Sequence, residues 1–325
     1  MVDFTRLRLP LMQAPMIIAS NLDLALASCR AGIIGAFPVG NARAPDSLET
    51  WLDAMAEAEA RALAAGETFA PWCVNVPALR QIDPATRRAR LAACARARVP
   101  LLLTNLGDPT EEVAAAHDWG GLVFHDVTTM KFAEKAIAAG VDGLMLVCGG
   151  AGGHAGTLNP FSFLPRVRRM FDGYIMLAGG IADGTGMAAA LALGADLVVM
   201  GTRFLATREA GVVEGHKRML VDAASEEVIF TDAVAGMPAS FLAPSLRDNG
   251  LDPDNLPVPL AFHKPNLPAG VKPWKTVWSG GHSTGLIDDI PDVVTLVGRL
   301  EAELNTARNP ADWRAALARP RHMNA

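Results

Sequence analysis

The chain has 325 residues, half of them apolar, and a net charge of −5. That is material for one large α/β domain with a smaller attachment. Acids and bases are interspersed with no basic stripe, which argues against a nucleic-acid partner. Gly, Asp or Arg interrupts every apolar run before it reaches the roughly 18 residues a membrane span needs. Cys29, Cys73, Cys94 and Cys148 form no CxxC pair, so neither a zinc site nor a disulfide framework is expected, and a reducing compartment is. Arg6 and Arg8 are followed by no apolar core of signal-peptide length. The expectation is a soluble, cytoplasmic protein without a membrane partner.

In chain order, a short apolar run ending in a Gly-, Pro- or Asn-rich turn and followed by an Ala-rich helical segment recurs eight times. The strands are predicted at Leu9–Met16, Gly32–Pro38, Ala70–Val76, Pro100–Asn105, Gly121–Asp126, Gly143–Cys148, Ile175–Gly179 and Leu197–Thr202. Such alternation means parallel strands, and eight units favour a closed (β/α)8 TIM barrel over an open doubly wound sheet. Asp83 with Pro84 opens a helix to Ala97; Asp183 caps Thr185–Leu193, and Gly194 sits at the C′ position. From Arg208 the rhythm breaks into a proline-rich stretch with Phe230, Phe241, Phe262, Trp274 and Trp278, too apolar for a linker. It reads as an appended helical and loop subdomain folding over the mouth. An amphipathic run at Asp292–Ala307 returns to the barrel. The division expected is therefore a barrel over 1–207, the subdomain over 208–276 and a returning segment over 277–325.

In such barrels the site lies at the C-terminal strand ends, with phosphate commonly bound after strands seven and eight. The seventh ends Leu177-Ala178-Gly179-Gly180-Ile181 and the eighth Met200-Gly201-Thr202-Arg203. Paired glycine turns there suit an anion held by main-chain N–H groups; ordinary tight turns are the plain alternative. After strand six, glycines flank His154 in Cys148-Gly149-Gly150-Ala151-Gly152-Gly153-His154-Ala155-Gly156. So little side chain suggests a flat ligand against backbone, with an imidazole placed to move protons. Ala14, Pro15 and Met16 after strand one would form a polarizable wall, and Asn75 after strand three would reach a ring edge. His125 and Asp126 end strand five, where His125 is a candidate for orienting substrate. Trp278 and His282, in a late small-residue turn, are candidates for a cover. No Ser-His-Asp set, HExxH or carboxylate pair stands out, which disfavours hydrolysis and leaves no metal site expected.

These residues resemble the nitronate monooxygenase family, formerly the 2-nitropropane dioxygenases. The resemblance rests on Gln13-Ala14-Pro15-Met16, Gly150 to Gly156, Leu177 to Ile181 and Gly201-Thr202-Arg203-Phe204, with a looser echo at Trp278 to Asp288. It implies a barrel binding flavin mononucleotide (FMN). Gly179, Gly180, Gly201 and Thr202 would be on the phosphate, and Ala14, Met16 and Asn75 near the ring. Pro15, Asp126, Ala151, Gly152, Gly153 and Ala178 complete the expected cofactor contacts, and His154 matches the family's active-site histidine. The implied reaction is oxidation of an alkyl nitronate by dioxygen to a carbonyl compound and nitrite. The same resemblance covers NAD(P)H-dependent reductases of quinones or enoyl thioesters, and Pro77 to Gln81 is a candidate gate for a nicotinamide. A third reading is a non-catalytic flavin-binding barrel. The chain departs from the common family loop at Gly150-Ala151 and Ala155. Tyr174 is its only tyrosine, so no pocket tyrosine from the late segment carries over.

Overall fold

The computed structural model describes residues 2–43, 46–79 and 81–307. Eight parallel strands are β1 (Leu11–Gln13), β2 (Gly35–Pro38), β3 (Trp72–Pro77), β4 (Leu101–Asn105), β5 (Leu122–Val127), β6 (Gly143–Val147), β8 (Tyr174–Ala178) and β9 (Leu197–Met200). Between them run α1 (Leu22–Arg30), α2 (Leu48–Ala64), α3 (Pro84–Arg96), α4 (Thr110–Trp119), α5 (Met130–Ala138), α6 (Pro160–Arg168) and α7 (Gly184–Leu193). Helix α2 shows why: Ser47 accepts from the Thr50 N–H to cap it, and Trp51, Leu52, Met55, Ala58 and Ala62 recur on the face it buries.

The strand order β1-β9-β8-β6-β5-β4-β3-β2 is that of a (β/α)8 barrel, and its ends meet. Residues Met12 and Ile34 bridge β1 to the chain entering β2, through N–H···O bonds of 2.9 Å from Gln13 to Ile34 and from Ile34 to Leu11. Where this short ladder gives out, the fully buried Gln13 side chain continues it. Its Oε1 accepts from the Ala36 N–H at 3.1 Å, and its Nε2 donates to Ser20 Oγ at 2.8 Å. Inside the barrel, Met12, Ile34, Leu101, Phe124, Met176 and Leu197 form a plug distinct from the strand–helix layer outside. The barrel interior below its C-terminal mouth is therefore solidly filled.

Beyond β9 come α8 (Thr202–Leu205), α9 (Glu214–Asp222), α10 (Ala243–Asp248) and α11 (Val293–Ala307). Here the structure adds to the expected helices and loops a second sheet, with β10 (Val228–Thr231) antiparallel to β11 (Ala239–Leu242). Strand β11 also pairs with β7 (Gly153–His154), which lies in the glycine loop after β6. The late segment and that loop are thus joined by backbone hydrogen bonds.

Helix α11 packs on α7 and α1. Glu303 accepts from the Gly184 N–H at 2.8 Å, and a Cβ on Gly184 would lie 2.2 Å from Leu304 N. Only glycine allows that approach. The returning segment's stretch from 308 onward and Arg80 of the candidate gate lie outside the described residues. Among those described, no helix is long and apolar enough to cross a membrane, and no cluster of His, Cys, Asp or Glu could hold a metal ion.

Candidate active site

The C-terminal strand ends surround a cavity of about 450 Å3, within the usual range for small-molecule sites. Its walls include Ala14, Pro15 and Met16 after β1, Asn75 on β3, Asp126 on β5, and Ala151 to His154 after β6. Ala178, Gly179 and Gly180 after β8, with Gly201 and Thr202 after β9, close the ring. Met145, Val147 and Val199 make an apolar floor.

The glycine turns provide the contacts an anion needs. Gly180 has φ +69°, and a Cβ there would meet nothing within 4 Å, so its main chain faces open space. Among the described residues, no backbone acceptor takes the N–H of Gly180, Gly201 or Thr202. Unpartnered main-chain donors side by side make an anion cradle. Thr202 is itself held, because its Oγ accepts from the Gly281 N–H at 3.0 Å. The adjoining loop is clamped from the late segment: Gly153 N–H donates to Ser279 Oγ at 2.9 Å, Ser240 Oγ to Ala151 O at 2.8 Å, and His282 N–H to Gly150 O at 2.9 Å. A flat apolar slot with a donor cradle at one end fits a flavin carrying a phosphate.

His154 lines the same cavity from the loop after β6. Its Nδ1 lies 3.2 Å from Pro238 O, and a carbonyl can only accept, so Nδ1 carries the proton and Nε2 keeps its lone pair when the ring is neutral. Desolvation pulls the His154 pKa below the ordinary 6.5, against the Pro238 carbonyl, which pulls it up. The imidazole is neutral near pH 7. The edge of the ring meets Trp274 at 5.2 Å.

Across the floor, Asn75 Nδ2 donates to Leu103 O at 2.9 Å and lies 3.5 Å from Asn105 Oδ1. Asn105 in turn hydrogen-bonds Asp126, whose carboxyl burial pushes up to about 7. This chain of amides and a carboxyl can present either donors or acceptors to a ring edge.

Three expected residues fall outside this wall. His125 is 6% exposed and, next to the inward-facing Phe124, turns to the outer face of β5, with Nδ1 2.8 Å from Thr104 Oγ and its pKa pushed down to about 4 by burial. Side chains alternate along a strand, so neighbours His125 and Asp126 cannot both face the mouth. His282 is exposed and touches the cavity only through its backbone hold on Gly150. Trp278 lines a neighbouring cavity, stacked on His216. Ser279 and Ser283, in the late small-residue turn expected to act as a cover, do line the main cavity, as do Asn105, His216 and Trp274, for which the sequence offered no site role. Asn105 was open to the same strand-end logic as Asn75. His216 and Trp274 come from the late segment, where no local pattern marks which side chains reach the mouth.

Fold and site together define an oxidoreductase-type (β/α)8 barrel with an anion cradle and two histidines, His154 and His216, on the cavity wall. The nitronate monooxygenase family description matches residues 1–272, and the chain belongs to that family, an oxidoreductase family of flavoproteins. It is 29% identical to a nitronate monooxygenase of Paraburkholderia phytofirmans over 91% of this chain and 92% of the relative. It is 31% identical, over 73% of this chain and 64% of the relative, to a Mycobacterium tuberculosis enzyme named as a hydroxy-methyl-oxo-octahydroindene-carboxyl-CoA dehydrogenase. The solved nitroalkane oxidase of Streptomyces ansochromogenes superimposes with a TM-score of 0.75 at 27% identity, covering 94% of this chain and 98% of that one.

Proposed function

We propose that this protein is an FMN-dependent nitronate monooxygenase that turns two alkyl nitronates and one dioxygen into two carbonyl compounds and two nitrite ions. The observation that carries this reading is His154, with Nδ1 tied to Pro238 O and Nε2 free beside a phosphate-ready slot. Gly179, Gly180, Gly201 and Thr202 hold the phosphate, while Ala14, Pro15, Met16, Asn75, Asp126, Ala151, Gly152, Gly153 and Ala178 bound the ring. Bound FMN supplies the electron acceptor and the route to dioxygen. His154 Nε2 takes the α-proton of a neutral nitroalkane, or orients a nitronate already formed. The apolar floor of Met145, Val147 and Val199 favours an alkyl chain.

A second reading, an NAD(P)H-dependent reductase of quinones or enoyl thioesters, draws support from the CoA-ester relative. Anaerobic mixing of the yellow protein with an alkyl nitronate, NADH or NADPH separates the two. Bleaching of the flavin by nitronate, then nitrite release on admitting air, is expected. Bleaching by a nicotinamide alone would refute the nitronate reading.

A further inference from the structure

Beside the reaction cavity lies a second one of about 390 Å3, and three side chains, Val212, His216 and Trp274, line both. A side chain that lines two neighbouring cavities stands between them. His216 is committed elsewhere, with Nε2 bonded to Ser279 O at 2.8 Å and its ring stacked on Trp278 at 5.3 Å. Val212 is short. Trp274 is the largest of the three, and its ring meets that of His154 edge-on at 5.2 Å. The bulk of the partition next to His154 is therefore one indole.

The backbone that carries this indole is strained. Trp274 has φ +66°, a left-handed conformation that glycine adopts freely and a bulky residue does not. Such strain persists only where the surroundings hold it, and it gathers at ligand clamps. Here the Trp274 N–H donates to Val277 O at 3.0 Å, Pro273 bridges to Val277, and the indole packs on the fully buried Phe241 ring at 4.8 Å. Glycine would suit the turn better, so what tryptophan adds at this position is its ring. On the far side, Ile18, Trp51 and Val213 give the second cavity apolar surface. An alkyl chain leaving a reacting carbon at His154 in this direction meets the indole first.

We propose that Trp274 is the specificity-determining residue for substrate length. Its indole ends the space open to an alkyl chain beside His154, so short-chain nitronates are preferred, and the second cavity is room that only the loss of the indole opens to longer chains. The inference rests on the nitronate reading for the reacting group, while the wall itself is read by binding.

Flavin-loaded parent and Trp274→Gly are titrated with straight-chain carboxylates from acetate to decanoate, planar anions that imitate a nitronate without reacting, and binding is followed in the flavin absorbance. In the parent, affinity is expected to stop rising after the first few members. In Trp274→Gly, whose glycine suits the left-handed turn, it is expected to keep rising by about fourfold per newly buried methylene. The ratio of kcat/KM for long over short alkyl nitronates should rise in the same order. Taking that ratio within each protein removes any general loss from the missing contact to His154. Adding Val212→Phe to Trp274→Gly refills the opening from the other side and should restore the early plateau, which a loosened fold would not do. Equal chain-length dependence in parent and Trp274→Gly, rising in both or flat in both, overturns the proposal. The expected carboxylate pattern with no nitronate oxidised by either protein upholds the wall and sinks the reading of the reaction.

Discussion

Replacing Asp126 by Asn tests how two buried histidines and the half-buried Asp126 set the protein's response to pH. His125 and His216 are 6% and 5% exposed, and burial lowers each from 6.5 to about 4. At about 1.4 kcal/mol per unit, each shift is worth about 3 kcal/mol. The unfolded chain protonates these rings below about pH 6.5 while the native state resists until about pH 4, so acidification destabilises the fold. Asp126 acts with the opposite sign. Its native carboxyl keeps a proton up to about pH 7, whereas the unfolded carboxyl releases it above 3.8, so its stabilisation is lost as pH rises through that window. The loss is about 4 kcal/mol. An Asn keeps the shape and the hydrogen bond to Asn105 but cannot ionise. Urea midpoints of flavin-free parent and Asp126→Asn, taken from pH 4 to 7.5, should coincide near pH 4 and diverge steadily, the variant ending about 4 kcal/mol more stable. Parallel curves across the range would refute the assignment of a proton to Asp126.

His154→Gln is expected to lower kcat/KM for a neutral nitroalkane by about 10²- to 10⁴-fold while leaving flavin affinity unchanged. In the parent, the acid limb of the same profile should lie below pH 6.5, because protonation of Nε2 removes the base and desolvation holds the His154 pKa down. A Cβ on Gly281 would come within 2.6 Å of Gly150 O and Gly152 N; Gly281→Ala should therefore push the glycine loop out of place and raise the flavin Kd, measured by fluorescence recovery on release. Trp274→Leu removes the edge contact to His154 without touching the β8 and β9 turns. It should lower kcat with flavin affinity held within about twofold, and loss of flavin would contradict that separation. Gly184→Ala sets a methyl against the α11 backbone, and the expected result is a drop in Tm with no change in KM.

The barrel is legible in the sequence because parallel strands buried on both faces read as continuous apolar runs. That same feature blurs their ends. Leu9, Ile33 and Ile34 are fully or nearly buried, yet β1 begins only at Leu11 and β2 at Gly35, since burial extends past the ladder. The cysteines are all buried and unpaired, and desolvation pushes the thiols of Cys29, Cys94 and Cys148 up to about 12, consistent with apolar filling. Strands β10 and β11 were not legible: each has four residues in a proline-rich stretch, and their pairing with β7 joins positions far apart in the chain. His216 and Trp274 belong to the same category, placed by that long-range return.

What places the histidine is the attachment rather than the barrel. The main chain at His154 pairs with Ala239, its Nδ1 is held by Pro238, and its ring edge rests on Trp274. All three partners lie beyond β9, whereas the phosphate cradle is built from turns at β8 and β9. The late segment also braces the cradle, through Gly281 on Thr202 and through Ser240 and Ser279 on the glycine loop, but the unpartnered main-chain donors themselves belong to the barrel turns. Changes at Pro238, Ala239 or Trp274 would alter the setting of His154 while the main-chain donors of the β8 and β9 turns stay where they are. Family members named for nitronates and for a CoA ester are compatible with that division of labour. The late segment is therefore where the substrate choice of this chain should be sought.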